Sequence, residues 1–183
     1  MATQEKLLTA EEFFETVPSK DFCELIQGEV IPMNPPGHRH GRVVARICQS
    51  LWNFVDQHDV GHVAGSDSGV ITERDPDTVR GADVAFHSYD RIPKGAEIVQ
   101  YPTVSPNVIF EVRSPSDRWP NIHEKVTEYL QAGVDCVVVL DPEDQTARLF
   151  YTDRGNETLT AEDELTLPAP LDGFRERVSR FFE

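Results

Sequence analysis

The chain has 183 residues and a formal net charge of −15, with 17 lysines and arginines against 32 aspartates and glutamates. Its length suits one domain with a sizeable core, and 39% hydrophobic with 27% charged residues is the make-up of an ordinary globular chain. The charge argues against non-specific wrapping of nucleic acid, whose affinity comes mainly from Lys and Arg on phosphates, but it does not speak against a locally basic groove. Much of the acidity is local, in residues 141–164, where Arg148 and Arg154 are the only basic residues. Cys23, Cys48 and Cys136 are odd in number and form no CxxC pair, so a structural zinc site is not expected. Their usage fits a reducing cytosol, and a cytoplasmic location is the expectation. The charged N-terminus reads as no signal peptide. The longest apolar run, Cys136–Leu140, is far too short to span a membrane.

In chain order, Thr9-Ala10-Glu11-Glu12 is a capping-box pattern that predicts a short helix ending before Pro18. Cys23–Ile26 and Glu29–Met33 flank Gln27-Gly28 and predict a β-hairpin. Residues 38–57 carry Val43, Val44, Ile47, Leu51, Phe54 and Val55 at helical spacing. Residues 60–73 read as a strand or strand pair interrupted by Gly65 and Gly69, and a strand around Asp83 follows. A loop from Ser88 to Pro106 leads to the strand Val108–Val112. Residues 121–132 form a second amphipathic helix with Ile122, Val126, Tyr129 and Leu130 inward and Gly133 as its stop. Val134–Asp141 and Thr146–Thr152 pair as strands, 153–164 is a loop with a strand edge, and a last helix is expected over Phe174–Phe182. No repeat or linker interrupts this pattern, so residues 1–183 read as a single α+β domain.

Asp83 and Glu111 are the most informative residues. Both lie in short apolar, β-branched runs that read as buried strands. A buried ionised carboxylate is costly unless it is paired or binds a metal. Two on one sheet, with Lys125 on the following helix, make a Mg²⁺ site with a cation beside it conceivable. Each residue also has a plain structural reading. Asp83 could cap a strand or pair with Arg80, and Glu111 could stay neutral. Lys125 borders its helix's buried stripe and could snorkel. Glu29 is a candidate third acid or an exposed strand residue. His40 is a candidate donor or a local hydrogen-bonding group. Arg39, Arg42 and Arg46 share a helix face that could touch phosphates or simply be solvated.

Two patterns are decoys. His58 and His62 have the spacing of a zinc pair, but Gly61 spoils the helix and the metalloprotease glutamate is absent. Ser114 and Ser116 lie near acids, but no Gly-x-Ser-x-Gly elbow occurs.

The ordered segments Glu24–Met33, His40, Arg80–Phe86, Glu111–Asp117, Lys125 with Tyr129, Ala132–Val134 and Val139–Pro142 together resemble the Uma-type restriction endonuclease domain family, a branch of the PD-(D/E)xK nuclease superfamily. The resemblance covers roughly residues 8–180. It implies a restriction-endonuclease-like core, a mixed central β-sheet flanked by helices, here with an N-terminal β-hairpin. It also implies Mg²⁺-dependent hydrolysis of phosphodiester bonds in nucleic acid, expected to be DNA, with Mn²⁺ as a substitute metal. Asp83 and Glu111, with the Val112 carbonyl, are the implied metal ligands. Lys125 is the implied catalytic lysine, and Glu29 and His40 are further members. The chain departs from the superfamily pattern at Ala82, where a proline often stands, and at Arg113, where the lysine of Glu-x-Lys would be. A homodimer would suit cleavage of both strands of a duplex. The rival reading is a nuclease fold kept as a catalytically silent module that binds nucleic acid or a protein partner, which the acidic charge favours.

Overall fold

The computed structural model describes residues 6–17 and 22–183. Helix α1 (Ala10–Thr16) starts on the expected capping box, with Thr9 and Glu12 bonding each other's backbone N–H. Strands β1 (Cys23–Ile26) and β2 (Glu29–Pro32) form the hairpin, and Gln27 and Gly28 both take positive φ in its two-residue turn. Helix α2 (His38–His58) buries Val43, Ile47, Leu51 and Val55, one residue per turn on a single stripe. Strands β3 (Gly61–Glu73), β4 (Thr78–Ser88) and β5 (Val108–Val112) precede helix α3 (Trp119–Gln131). Gly133, with φ +99°, ends α3 as anticipated. The N–H groups of Gly133 and Val134 turn back to the carbonyls of Leu130 and Tyr129.

Strands β6 (Cys136–Asp141), β7 (Thr146–Tyr151) and β8 (Glu157–Leu159) complete an eight-stranded sheet. It is mixed: β5 and β6 run parallel and the other pairs antiparallel. Side chains alternate between its two faces. Val108, Phe110, Val112, Cys136, Val138 and Leu140 pack with α2. Ile109, Val137 and Val139 pack with Val126 and Tyr129 of α3. The architecture is the expected α+β sheet flanked by helices.

The C-terminus departs from expectation. In place of a helix over Phe174–Phe182 the chain forms strand β10 (Arg175–Arg177), paired with β9 (Glu164–Thr166), then a single 3₁₀ turn (Val178–Phe181). The ready partner in β9 overrides local helix propensity, while Phe174, Val178 and Phe181 still reach the core. Residues 60–73 form one long strand, not a pair. It is interrupted by a bulge in which Ser66 and Asp67 stand opposite the single residue Asp83.

The pairing of β4 creates the site. Val79 pairs with Ile71 of β3 on one edge and with Leu25 of β1 on the other. Further along, Val84 pairs with Gly65 of β3 and, on the edge β1 had used, with Phe110 of β5. Between β1 and β5 a stretch of β4 around Gly81–Asp83 therefore has an open edge. The notch it leaves is filled by charged side chains.

Candidate active site

A cleft of about 650 Å³ opens over this notch. Glu24, Gly81, Asp83, Glu111, Val112 and Lys125 form its floor. Asp83 is held from two sides. The Val112 N–H donates to its Oδ2 at 2.6 Å, and His40 Nε2 lies 3.2 Å from the same oxygen. Among the described residues no hydrogen bond is made to Asp83 Oδ1. Glu111 comes from the α3 face of β5. Lys125 Nζ donates to its Oε2 at 3.1 Å and Tyr129 Oη to its Oε1 at 2.9 Å. Lys125 and Tyr129 are four residues apart on α3, so one helix face delivers both donors. The lysine also donates to the Gly81 carbonyl, 2.7 Å away.

Glu24, which sequence reasoning passed over, is the third acid of this cluster. It is buried on β1, accepts from Arg80 at 2.9 Å and the Gly81 N–H at 3.0 Å, and lies 3.3 Å from Lys125 Nζ. Arg80 forks onto Glu128 with its remaining donors. Glu29 is different: it lies at the hairpin turn, exposed, and does not line the cleft. The period of two in β1 and β2 could have signalled this, since Glu24 alternates with Leu25 inside an apolar run while Glu29 adjoins a turn. Arg113, at the usual lysine position, bonds Asp141 and Glu143 and leaves the acids alone. Of the arginines on α2, Arg39 bonds the Pro142 carbonyl and Arg46 bonds Gln49 and the Glu183 carbonyl. Arg42 is exposed.

The electrostatics follow from this packing. Burial pushes the Glu111 carboxyl up to about 8; Lys125 and the Tyr129 hydroxyl pull it down and Asp83 adds to the rise. Burial opposes charge on Lys125, but Glu111, Glu24 and Asp83 overcome it and hold the ammonium well above its ordinary range. His40 is pushed down by burial and raised on balance by its bond to Asp83 and the charges of Asp83, Asp67 and Glu111. Glu24, despite burial, is lowered by Lys125 and Arg80. The floor thus sets Glu24, Asp83 and Glu111 against Lys125, and burial keeps Glu111 largely protonated below about pH 8.

Among the described residues no three His, Cys, Asp or Glu side chains converge as a preformed metal cage. The carboxylates of Asp83 and Glu111 are instead oxygen donors of the kind that suits Mg²⁺, which binds through one or two carboxylates and keeps several waters. The residues present therefore fit a divalent cation. No helix of the described residues is long and apolar enough to cross a membrane.

A mixed sheet flanked by helices, with two acids and a lysine gathered at a break in its pairing, defines a restriction-endonuclease-like architecture. The family model described as "Uma2: Putative restriction endonuclease" matches residues 10–179, and the chain belongs to this family, of the nuclease class. The fold is also that of a crystal structure described as a "putative nuclease belonging to DUF820" from Anabaena variabilis. The TM-score is 0.82 at 17% identity, over 96% of this chain and 97% of that one. No curated protein matches the chain.

Proposed function

We propose that the protein is a Mg²⁺-dependent nuclease that hydrolyses phosphodiester bonds of DNA at the Asp83–Glu111 cleft. The observation that carries this reading is the direct contact of Lys125 with Glu111 at 3.1 Å, next to Asp83 on the same cleft floor. It restores from α3 the cation that Arg113 does not supply.

Asp83 and Glu111 would hold the metal, with the carbonyl of Val112. In an extended strand a residue's N–H and C=O leave on the same side, and the Val112 N–H is already directed at Asp83. The cation, when bound, polarises the phosphate and lowers the pKa of a water. Lys125 orients the attacking water or stabilises charge developing on the phosphoryl oxygens. Tyr129 and the Gly81 carbonyl fix where that ammonium and the Glu111 carboxylate point. His40 steadies Asp83. Glu24 keeps Lys125 charged.

The test is cleavage of labelled DNA in Mg²⁺ or Mn²⁺ by the wild type and by Asp83→Ala and Lys125→Met. Hydrolysis by the wild type that both variants lose by about 10²-fold or more is the expected result. Folded, inactive wild type under all conditions would leave the silent nucleic-acid or protein-binding module as the better reading.

A further inference from the structure

Acids do not make up the whole lining of the cleft. The lining is also aromatic: it includes Phe14, Phe22 and Tyr101, with the Met33 N–H bonded to the Phe22 carbonyl. Tyr101 is firmly seated. Its ring lies against Phe13, centroids 6.2 Å apart, and covers Gly69 so closely that a Cβ there would come within 2.3 Å of it. Phe14 stands edge-on to Tyr101 at 5.3 Å and is 39% exposed, and Phe22 is 47% exposed. Large apolar rings left open beside a charged floor cost solvation and call for a partner with an apolar face.

The charges choose the partner. Among the described cleft residues Glu24, Asp67, Asp83, Glu111 and Asp117 face Lys125 and His40. Duplex binding draws its affinity from many cations on two phosphate backbones, which this wall does not offer. A single strand presents one backbone and needs fewer cations, because stacking of successive bases on aromatic side chains adds affinity of its own and works for any base, every base having a π-face. A volume of about 650 Å³ is in the range that encloses one small ligand, the scale of a nucleotide or two and not of a duplex. We infer that Phe14, Phe22 and Tyr101 form a base-stacking platform and that the cleft takes an unpaired DNA strand, one of whose phosphates reaches the acids. This rests on the hydrolytic reading above and specifies its substrate.

Binding is measured separately from cleavage, by fluorescence anisotropy in Ca²⁺, with the probe recovered and checked intact. The probes are a labelled oligo(dT) of about 12 nucleotides, an abasic strand of the same length, and the oligo(dT) annealed to its complement. The wild type should bind oligo(dT) at least about ten-fold more tightly than either of the others, and Phe14→Ala/Phe22→Ala should remove that difference. Both rings are half exposed, and an unchanged thermal midpoint will show that the variant is folded. Equal or tighter binding of the abasic strand or the duplex, no effect of the double substitution, or no binding of any probe overturns the inference. Stacking-dependent binding without hydrolysis in Mg²⁺ or Mn²⁺ would instead overturn the hydrolytic reading and leave this one standing.

Discussion

Lys125 Nζ lies 3.1 Å from Glu111 Oε2 and 3.3 Å from Glu24 Oε1, so one ammonium ties helix α3 to strands on both sides of the break in the β4 pairing. Lys125→Met keeps most of the side-chain volume and removes the charge. Glu111 and Glu24 then lose their shared partner inside the protein, which costs roughly 3–5 kcal/mol when no relaxation intervenes. Chemical denaturation at pH 7.5 should show a loss of up to that order, carried mainly by the buried Glu24 carboxylate, because Glu111, held at about 8, is already largely protonated there.

The Glu111 carboxyl makes stability depend on pH in a defined sense. Its folded pKa of about 8 lies above the ordinary 4.5, so the folded state binds more protons than the unfolded state between these values. Its contribution is fully present below about pH 4.5 and is lost as pH rises through about 8. Metal-free wild type should lose stability over this window relative to Glu111→Gln, by a few kcal/mol at most. His40 is also raised and adds a loss in the same direction, which comparison with the variant removes apart from the small part that Glu111 itself contributes to the His40 shift. Divalent binding must displace the Glu111 proton, so Mn²⁺ affinity by titration calorimetry should climb with pH up to about 8, with proton release.

Tyr129→Phe isolates one hydrogen bond. The ring stays packed in the α3-side core, and the hydroxyl 2.9 Å from Glu111 Oε1 is lost. The cost should be about 1 kcal/mol. Because that bond favours the ionised carboxylate, the alkaline shift of Glu111 should grow, moving the onset of metal binding to higher pH.

Glu24→Ala and Glu29→Ala separate two acids that look alike in the sequence. Glu24 is buried between Arg80 and Lys125, and its loss should cost roughly 3 kcal/mol. That is about 10 °C in thermal midpoint for a chain of this size. Glu29 is exposed at the hairpin turn, and its loss should fall within about 0.5 kcal/mol of zero.

Gly69→Ala should displace Tyr101, since the added methyl group would enter its ring. Overpacking of this kind costs about 1–3 kcal/mol. The fluorescence or ring resonances of Tyr101 should report the movement directly.

Periodicity located what is set by local pattern. The apolar stripes of α2 and α3, the Gln27-Gly28 hairpin and the Gly133 stop each follow from spacing or turn chemistry within a few residues. Asp83, Glu111 and Lys125 stood out because charge inside apolar runs demands a partner, and they do meet on one cleft floor. Glu24 was hidden because its justification is distant: Arg80 lies 56 residues away. The end of the chain misled for the same reason, since Arg175–Arg177 is a strand only because Glu164–Thr166 lies alongside it. The aromatic lining likewise joins Phe14, Phe22 and Tyr101 through a loop and a glycine seat that no window of sequence contains.

The hairpin β1–β2 meets β4 through a single backbone register pair, Leu25 with Val79. Glu24, Arg80 and Lys125 are therefore a joint as well as part of a cleft. A descendant that abandoned hydrolysis could exchange Asp83 for a neutral acceptor of the Val112 N–H, but it would still need the ion triad to keep its hairpin docked. Decay of chemistry in such a lineage would begin at one carboxylate and stall at the next.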